Sequence, residues 1–386
     1  MPVELEMYRR LRIGVYLLVA TVIPIGFLAN HVLFPALPPV RFSSLNQTVL
    51  SQHLLRSNVP IKFEFDTGLT QSSPHYHRDD GTSIVCHTVV CGRLGNDLFE
   101  YASVLGIARA TNKIPFITNP ERFQGVLRTP PTRPDDYDKL MARCKKAKKA
   151  NDYKGGIFQR DLTSLKPGVD YEVKRCLQSW MYFDRMRDEV REIMTFTDEI
   201  VNNATQVINR LRRLFPGRTL VGVHVRREDF LNKRLVKSGV VVGSPKYFNR
   251  AMTLFRERFP HVTFVVVGQD PQWCKQNLQP VNNDRVILDP SSAEVDMQLL
   301  SMTDHLITSP GTFSWWAAFK MARTAVVMYQ KEFARKGSIH AFWYSHNAVD
   351  HVMPHWIAVT VSEDIVQSNS SGTDVAPQQK RRNSTG

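Results

Sequence analysis

Residues 222–229 read Gly-Val-His-Val-Arg-Arg-Glu-Asp and follow directly on the apolar run Thr219-Leu220-Val221. This predicts a strand that ends in His224, Arg226, Arg227 and Asp229. In an open α/β sheet, ligands bind beyond the carboxyl ends of the strands. Two guanidiniums at such a place suit a phosphate, because each is permanently charged, planar and able to bind two oxygens at once. Asp229 can hold one arginine in position and relieve the repulsion within the pair. Arginine pairs beside an acid also occur as ordinary solvated surface, so the assignment draws on the rest of the chain.

A second run, Ser309-Pro310-Gly311-Thr312-Phe313-Ser314-Trp315-Trp316, falls between a predicted strand and a predicted helix. Gly311 permits close backbone approach, and Ser309, Thr312 and Ser314 offer hydroxyls. A helix N-terminus adds free N–H groups and the positive end of a dipole. These pieces suit a phosphate or a ribose, and equally an ordinary Ser/Thr cap over core tryptophans. A third run, Gly92-Arg93-Leu94-Gly95-Asn96, forms an earlier strand-to-helix turn. Asp97, His87 and Glu100 near it are candidate proton acceptors. No G-x-G-x-x-G or G-x-x-x-x-G-K-[ST] follows a strand, so neither a dinucleotide fingerprint nor a P-loop is supported. No acid-x-acid motif follows a strand either, and no metal is implied.

The elements that carry these runs alternate. Ser83–Cys86 and Thr88–Val90 read as strand, Asp97 to about Asn112 as helix, and 114–118 as strand. Residues 119–175 read as irregular, proline-containing and basic. One or two helices are expected over Arg185–Leu214, ending at Pro216-Gly217. Beyond it, strands are expected at 219–225, 262–267, 285–289, 304–308 and 324–329, with helices at 246–258, 294–302 and 312–322. Repeated β-α units predict largely parallel, helix-covered sheets in two Rossmann-like halves with a cleft between them.

The chain has 386 residues, 42% hydrophobic and 22% charged, with a net charge of +14. That length allows two domains. The charge is concentrated in runs such as 143–149 and 380–382, which lack the interleaved aromatics of single-strand nucleic-acid platforms. The uncharged stretch Ile13–Ala29 continues to Leu37 and follows Arg9, Arg10 and Arg12. At about 1.5 Å per residue it spans a hydrocarbon core of about 30 Å. The flanking charges leave the N-terminus cytosolic and the bulk of the chain lumenal, which excludes nucleic acid as a partner. A cleaved signal is the rival reading, with no clean small-x-small site behind it. Sequons at Asn46, Asn203, Asn369 and Asn383 agree with that compartment. Five cysteines show no zinc spacing, and the four from Cys86 to Cys176 can staple one domain with connectivity left open. The expected organisation is a tail over 1–12, an anchor over 13–37, a stem over 38–81, halves at 82–216 and 217–358, and a flexible tail over 359–386.

Together the runs Gly92–Ala102, Val221–Asp229 and Asp296–Ala318 resemble the galactoside α1,2-fucosyltransferases, within the broader α1,2/α1,6/protein-O-fucosyltransferase superfamily. The resemblance covers about residues 82–358. It implies a GT-B-like α/β fold, GDP-β-L-fucose as donor, a galactose-terminated glycan as acceptor, inversion to an α-linkage, no metal and a type II Golgi topology. On that basis Arg226 is expected on the β-phosphate, with Arg227 sharing the role or tying down Asp229. His224 is expected to bond the phosphate or orient the donor. Asp296 is expected to recognise guanine or fix the site loop. Ser309, Gly311, Thr312, Phe313 and Ser314 are expected to line the phosphate and nucleoside pocket, with Asn96 facing the donor from the other half and Asp97 as a candidate base. Asp97 stands where the family often has Gln, and Glu228 where Gly is common. Both add negative charge near the cleft and bear on acceptor preference. The rival from another class is a lumenal glycan- or nucleotide-sugar-binding protein that keeps the fold without turnover. Homo-oligomerisation is left open.

Overall fold

Two parallel sheets organise the protein. The structure, a computed structural model, describes residues 83–88, 91–151, 154–345 and 348–361. The predicted anchor, the stem, Asn46, Asn369, Asn383 and Val89-Val90 lie outside the described residues. Among those described, no helix is long and apolar enough to cross a membrane. Asn203 is exposed on a helix surface.

The first sheet holds β1 (Ile84–His87), β2 (Ile114–Ile117), β3 (Lys148–Asn151) and β4 (Tyr171–Lys174), in the order β2-β1-β4-β3. Helix α1 (Leu94–Ala110) joins β1 to β2, and α2 (Tyr137–Lys146) precedes β3. Thus 119–175, expected to be irregular, contains a helix and two strands. They were hidden for a physical reason. β3 is an edge strand of sequence Lys-Lys-Ala-Asn, so it carries no apolar alternation, and β4 is only four residues long. The disulfides Cys86–Cys144 and Cys91–Cys176 close this half, and Cys274 is free and buried.

After α3 (Arg187–Ile193) and α4 (Asp198–Leu214), the second sheet begins with β5 (Thr219–Val225). Next come α5 (Lys233–Ser238), α6 (Pro245–Arg258), β6 (Val262–Gly268), α7 (Pro271–Asn277) and β7 (Arg285–Ile287). Then follow α8 (Ala293–Ser301), β8 (His305–Ile307), α9 (Thr312–Lys320), β9 (Val327–Gln330), α10 (Ile339–Phe342) and β10 (Ile357–Val359). The strand order is β10-β9-β8-β5-β6-β7, parallel throughout. The five strands expected here are all present. α5, α7, α10 and β10 were not expected, because each is shorter than the windows in which periodicity shows.

Connections leave β5 on both sides. The chain runs from β5 to β6 and β7, then crosses back to β8 against the other edge of β5. The carboxyl ends of β5 and β8 are therefore a topological switch point, where an α/β sheet opens a crevice. β1 is placed likewise, between β2 and β4.

Helix α1 ties the sheets together. Thirteen of its residues are buried on every side, so it is a central pillar rather than an amphipathic surface helix. Its Phe99 ring lies 4.4 Å from Trp315 and 5.3 Å from Trp316, both on α9. One continuous apolar core includes Val85 and Val173 of the first sheet and Leu220 and Val265 of the second. The segment after α10 straps back across the joint. Trp180 Nε1 donates to the carbonyls of Val349 and Val352, and Trp315 Nε1 donates to that of His351.

Candidate active site

Arg226 leaves the carboxyl end of β5 at the switch point. Its backbone N–H donates to Ser309 Oγ at 3.0 Å, while that hydroxyl donates to the His224 carbonyl at 2.6 Å. Ser314 Oγ in turn donates to the Ser309 carbonyl at 2.9 Å. Ser309 thus stitches the β8–α9 loop to β5, Ser314 braces that loop from within, and Thr312 reaches across to Asn96. These hydroxyls build the crevice rather than project into it.

The guanidinium of Arg226 is aimed by three contacts. Nε and Nη2 donate to the two carboxylate oxygens of Asp229 at 3.1 and 2.7 Å, the planar fork that only arginine makes. The ring of Phe230 lies 4.0 Å from its central carbon. Gly311 supplies the third wall. Its φ is +109°, and a Cβ there would stand 2.6 Å from Arg226 Nη1. Glycine is favoured at this position by backbone conformation, and a side chain there would push the Arg226 guanidinium aside. Asp229 also pairs with Arg93, from the turn before α1. Burial alone would raise the Asp229 carboxyl, but Arg226 and Arg93 outweigh it and hold it below the usual carboxylate range.

Arg227 does not tie down Asp229. It turns the other way, 4.0 Å over the Trp273 ring, with Nη1 donating to the Gly243 carbonyl at 3.4 Å. The Asp229 role left open between the two arginines therefore falls to Arg226. His224 is buried and stacked on Phe313 at 4.7 Å. Burial, helped by Arg226, pulls its imidazole down to about 3, so it is neutral at pH 7. Asp296 sits on the first turn of α8. Its carboxylate accepts from the Ser291 N–H at 3.4 Å rather than from the arginines, and burial pushes it up to about 6. The Glu228 side chain lies outside the described residues.

Asn96 faces α9 and is bonded by protein at both its amide oxygen and its amide nitrogen. Its Oδ1 accepts from Thr312 Oγ1 at 2.7 Å and from Gln178 Nε2 at 2.9 Å, and its Nδ2 donates to the Cys91 carbonyl at 2.6 Å. Gly95 lies so close that a Cβ would stand 2.8 Å from the Thr312 backbone. The Gly92–Asn96 run is therefore a clasp between the halves. Asp97 lines a pocket beyond β1 and β2, where Arg122 ion-pairs with it.

Residues to which the sequence assigned no role complete the arrangement: Phe230, Trp273, Gln178, Arg122 and Arg93. Phe230 was detectable, being one residue from Asp229. The rest come from separate elements and carry no local signal. Among the described residues, no group of three or more His, Cys, Asp or Glu is placed to hold a metal ion.

This chain belongs to glycosyl transferase family 11, whose model matches residues 48–349. The galactoside alpha-(1,2)-fucosyltransferase 1 of Ateles belzebuth is 31% identical over 237 residues, covering 59% of this chain and 63% of its own length. That of Leontocebus fuscicollis is 36% identical over 147 residues, covering 36% of this chain and 40% of its own. The matches thus span less than two thirds of either relative. Among solved structures, a mutant of Arabidopsis thaliana FUT1 in complex with GDP is similar at 14% identity and a TM-score of 0.42, covering 77% of this chain and 79% of that one. POFUT1 in complex with GDP-fucose is similar at 10% identity and a TM-score of 0.42, covering 64% and 98%. The family assignment rests on the family model, not on these distant likenesses.

Gly311→Ala is expected to weaken binding of GDP, the nucleotide tried as ligand, by at least about tenfold, because the new methyl displaces the Arg226 guanidinium; tenfold is about 1.4 kcal/mol. Titration calorimetry on the folded variant measures it. Unchanged affinity would mean that Arg226 is not where this ligand binds.

Proposed function

We propose that this chain transfers L-fucose from GDP-β-L-fucose to the 2-hydroxyl of a terminal galactose, with inversion to an α-linkage and without a metal. The observation that carries the reading is Arg226, forked onto Asp229 and walled by Gly311 at the switch point of a family 11 chain. The names of the relatives add the galactoside acceptor and the linkage. In this reading the architecture is GT-B-like, with the second sheet holding the donor and the first presenting the acceptor.

As the bond between fucose and GDP breaks, negative charge gathers on the diphosphate. A donor group already aimed at that charge stabilises the transition state without reorganising. Arg226 is such a group, held before any ligand arrives. Arg227, stacked on Trp273, supplies a second cation from the same strand end. These guanidiniums take the charge-stabilising role that a divalent cation has in metal-dependent sites. Neutral His224 offers a hydrogen bond without adding charge. Ser309, Thr312 and Ser314 serve by fixing the loop that shapes the crevice.

Arg226→Lys keeps the charge but loses the fork, and should lower kcat/KM by about 10²–10³-fold. Wild-type turnover in this variant removes Arg226 from the mechanism. Offered labelled GDP-sugars and a β-galactoside, the full-length protein is expected to move fucose alone, to form an α1,2 bond by NMR, and to keep full activity in EDTA. Fucose on an innermost GlcNAc or on a Ser/Thr hydroxyl would assign another branch of the superfamily. Loss of activity in EDTA with recovery in Mn²⁺ would show that arginines do not suffice. We further propose that residues 13–37 anchor the chain in the Golgi membrane with the remainder lumenal, from the Arg-flanked apolar run and the downstream sequons. Glycosidase treatment should then shift the mobility of the full-length chain, which should stay in the pellet after alkaline carbonate. A soluble, unglycosylated product contradicts both.

A further inference from the structure

The turn at Gly92-Arg93 has two sets of contacts. Arg93 reaches Asp229 and so adjoins the Arg226 site, while the Gly92 carbonyl accepts from Arg122 at 3.5 Å. Arg122 belongs to a pocket beyond the carboxyl ends of β1 and β2, lined by His87, Asp97, Glu100, Tyr101 and Thr118 among others. His87, Asp97 and Glu100 are 7%, 8% and 6% exposed.

Their hydrogen bonds divide the labour. Asp97 is ion-paired with Arg122, though burial, the larger influence, still raises its carboxyl. Glu100 Oε1 accepts the Cys91 N–H at 2.9 Å. Its other oxygen, Oε2, lies 3.8 Å from His87 Nδ1 and 4.0 Å from Arg122, both beyond hydrogen-bond range. His87 Nε2 is 2.6 Å from the Arg175 carbonyl, which can only accept, so Nε2 carries the proton and Nδ1 presents a lone pair. With Glu100 ionised, two lone-pair atoms thus lie 3.8 Å apart on the lining of this pocket.

We propose that Glu100, with His87 behind it, takes the proton from the acceptor hydroxyl. This rests on the transferase reading above and deepens it. The hydroxyl oxygen forms a bond to C1 of fucose, and the bond from C1 to the phosphate oxygen breaks with its electron pair staying on GDP. The hydroxyl proton passes to Glu100 Oε2. Glu100 suits the task better than Asp97 by geometry: Asp97 is already held by the Arg122 guanidinium, whereas Glu100 Oε2 has no guanidinium within hydrogen-bond range. Its basicity agrees with the geometry. Burial is the main influence, opposed by the Cys91 N–H, increased by Asp97 and opposed again by Arg122, and the carboxyl is pushed up to about 8. Burial, the largest influence on His87, lowers its imidazole although the Arg175 carbonyl and Glu172 favour the charged form, so His87 stays neutral where Glu100 titrates. A raised carboxyl is protonated at low pH and becomes a base as pH rises through its own value. Transfer should therefore climb with pH to about 8 and then level.

The test compares Glu100→Gln with the wild-type full-length protein, using a β-galactoside or azide as nucleophile with GDP-fucose. Azide has no proton to lose. The variant should lose galactoside transfer by about 10²–10⁴-fold and lose the rising pH limb, yet form fucosyl azide within about threefold of wild type. Retained galactoside transfer overturns the role of Glu100 and leaves the donor assignment standing. An equal fall with both nucleophiles shows Glu100 to be structural and also overturns it. A flat wild-type pH profile between 6 and 9 overturns it without any variant. A wild-type chain that transfers no fucose removes the transferase reading and this role with it.

Discussion

The Asp229 carboxylate lies between two guanidiniums that belong to different parts of the fold, Arg226 at the end of β5 and Arg93 before α1. Everything else in the site is arranged around that contact. A lone arginine at a strand end samples many rotamers, and ordering it costs about 1.5–2 kcal/mol. Here the fork onto Asp229, the Phe230 ring and the Gly311 wall bear that cost before any ligand binds. The pair is partly exposed, so its worth to stability is small. Its worth to chemistry lies in preorganisation, since a cation already in position need not reorganise as charge develops.

The same logic extends outward through the Cys91–Cys176 disulfide. The Cys91 N–H holds Glu100, and its carbonyl holds Asn96. On either side of Cys176, the Arg175 carbonyl fixes the His87 ring and Gln178 reaches Asn96. Arg175 and Leu177 have φ of +86° and +48°, conformations that side chains other than glycine rarely adopt. Backbone forced into such positions persists where its surroundings overdetermine it, commonly at functional sites. The cross-link therefore positions side chains on both faces of the Gly92–Asn96 turn, in addition to closing the first half.

Helix α1 makes this possible. Because it is buried all round, its first turn cannot move independently of α9 or of the 180–186 segment beneath it. Arg93, Asn96, Asp97 and Glu100 thus share one rigid frame with Thr312. A shift of the first sheet against the second would break the Asn96–Thr312 bond and the Arg93–Asp229 pair together.

Much was legible before folding. Parallel β-α alternation after Pro216, the strand ending at Arg226 and the glycine loop at 311 all follow from local pattern: apolar runs, glycine punctuation and charge at a strand end. Where pattern was weak the elements were missed, as with β3, whose basic residues hide an edge strand. The chain also announced Asn96, Thr312 and Asp229 as important without saying what they touch. Their partners stand far off in sequence: Asn96 bonds Thr312, and Asp229 pairs with Arg93. Local pattern encodes backbone conformation and which face is buried. It does not encode which of two neighbouring arginines a carboxylate will hold. That choice, Arg226 over Arg227, was settled by long-range packing, because hydrogen bonding and burial depend on distances that exist only once the chain has closed on itself.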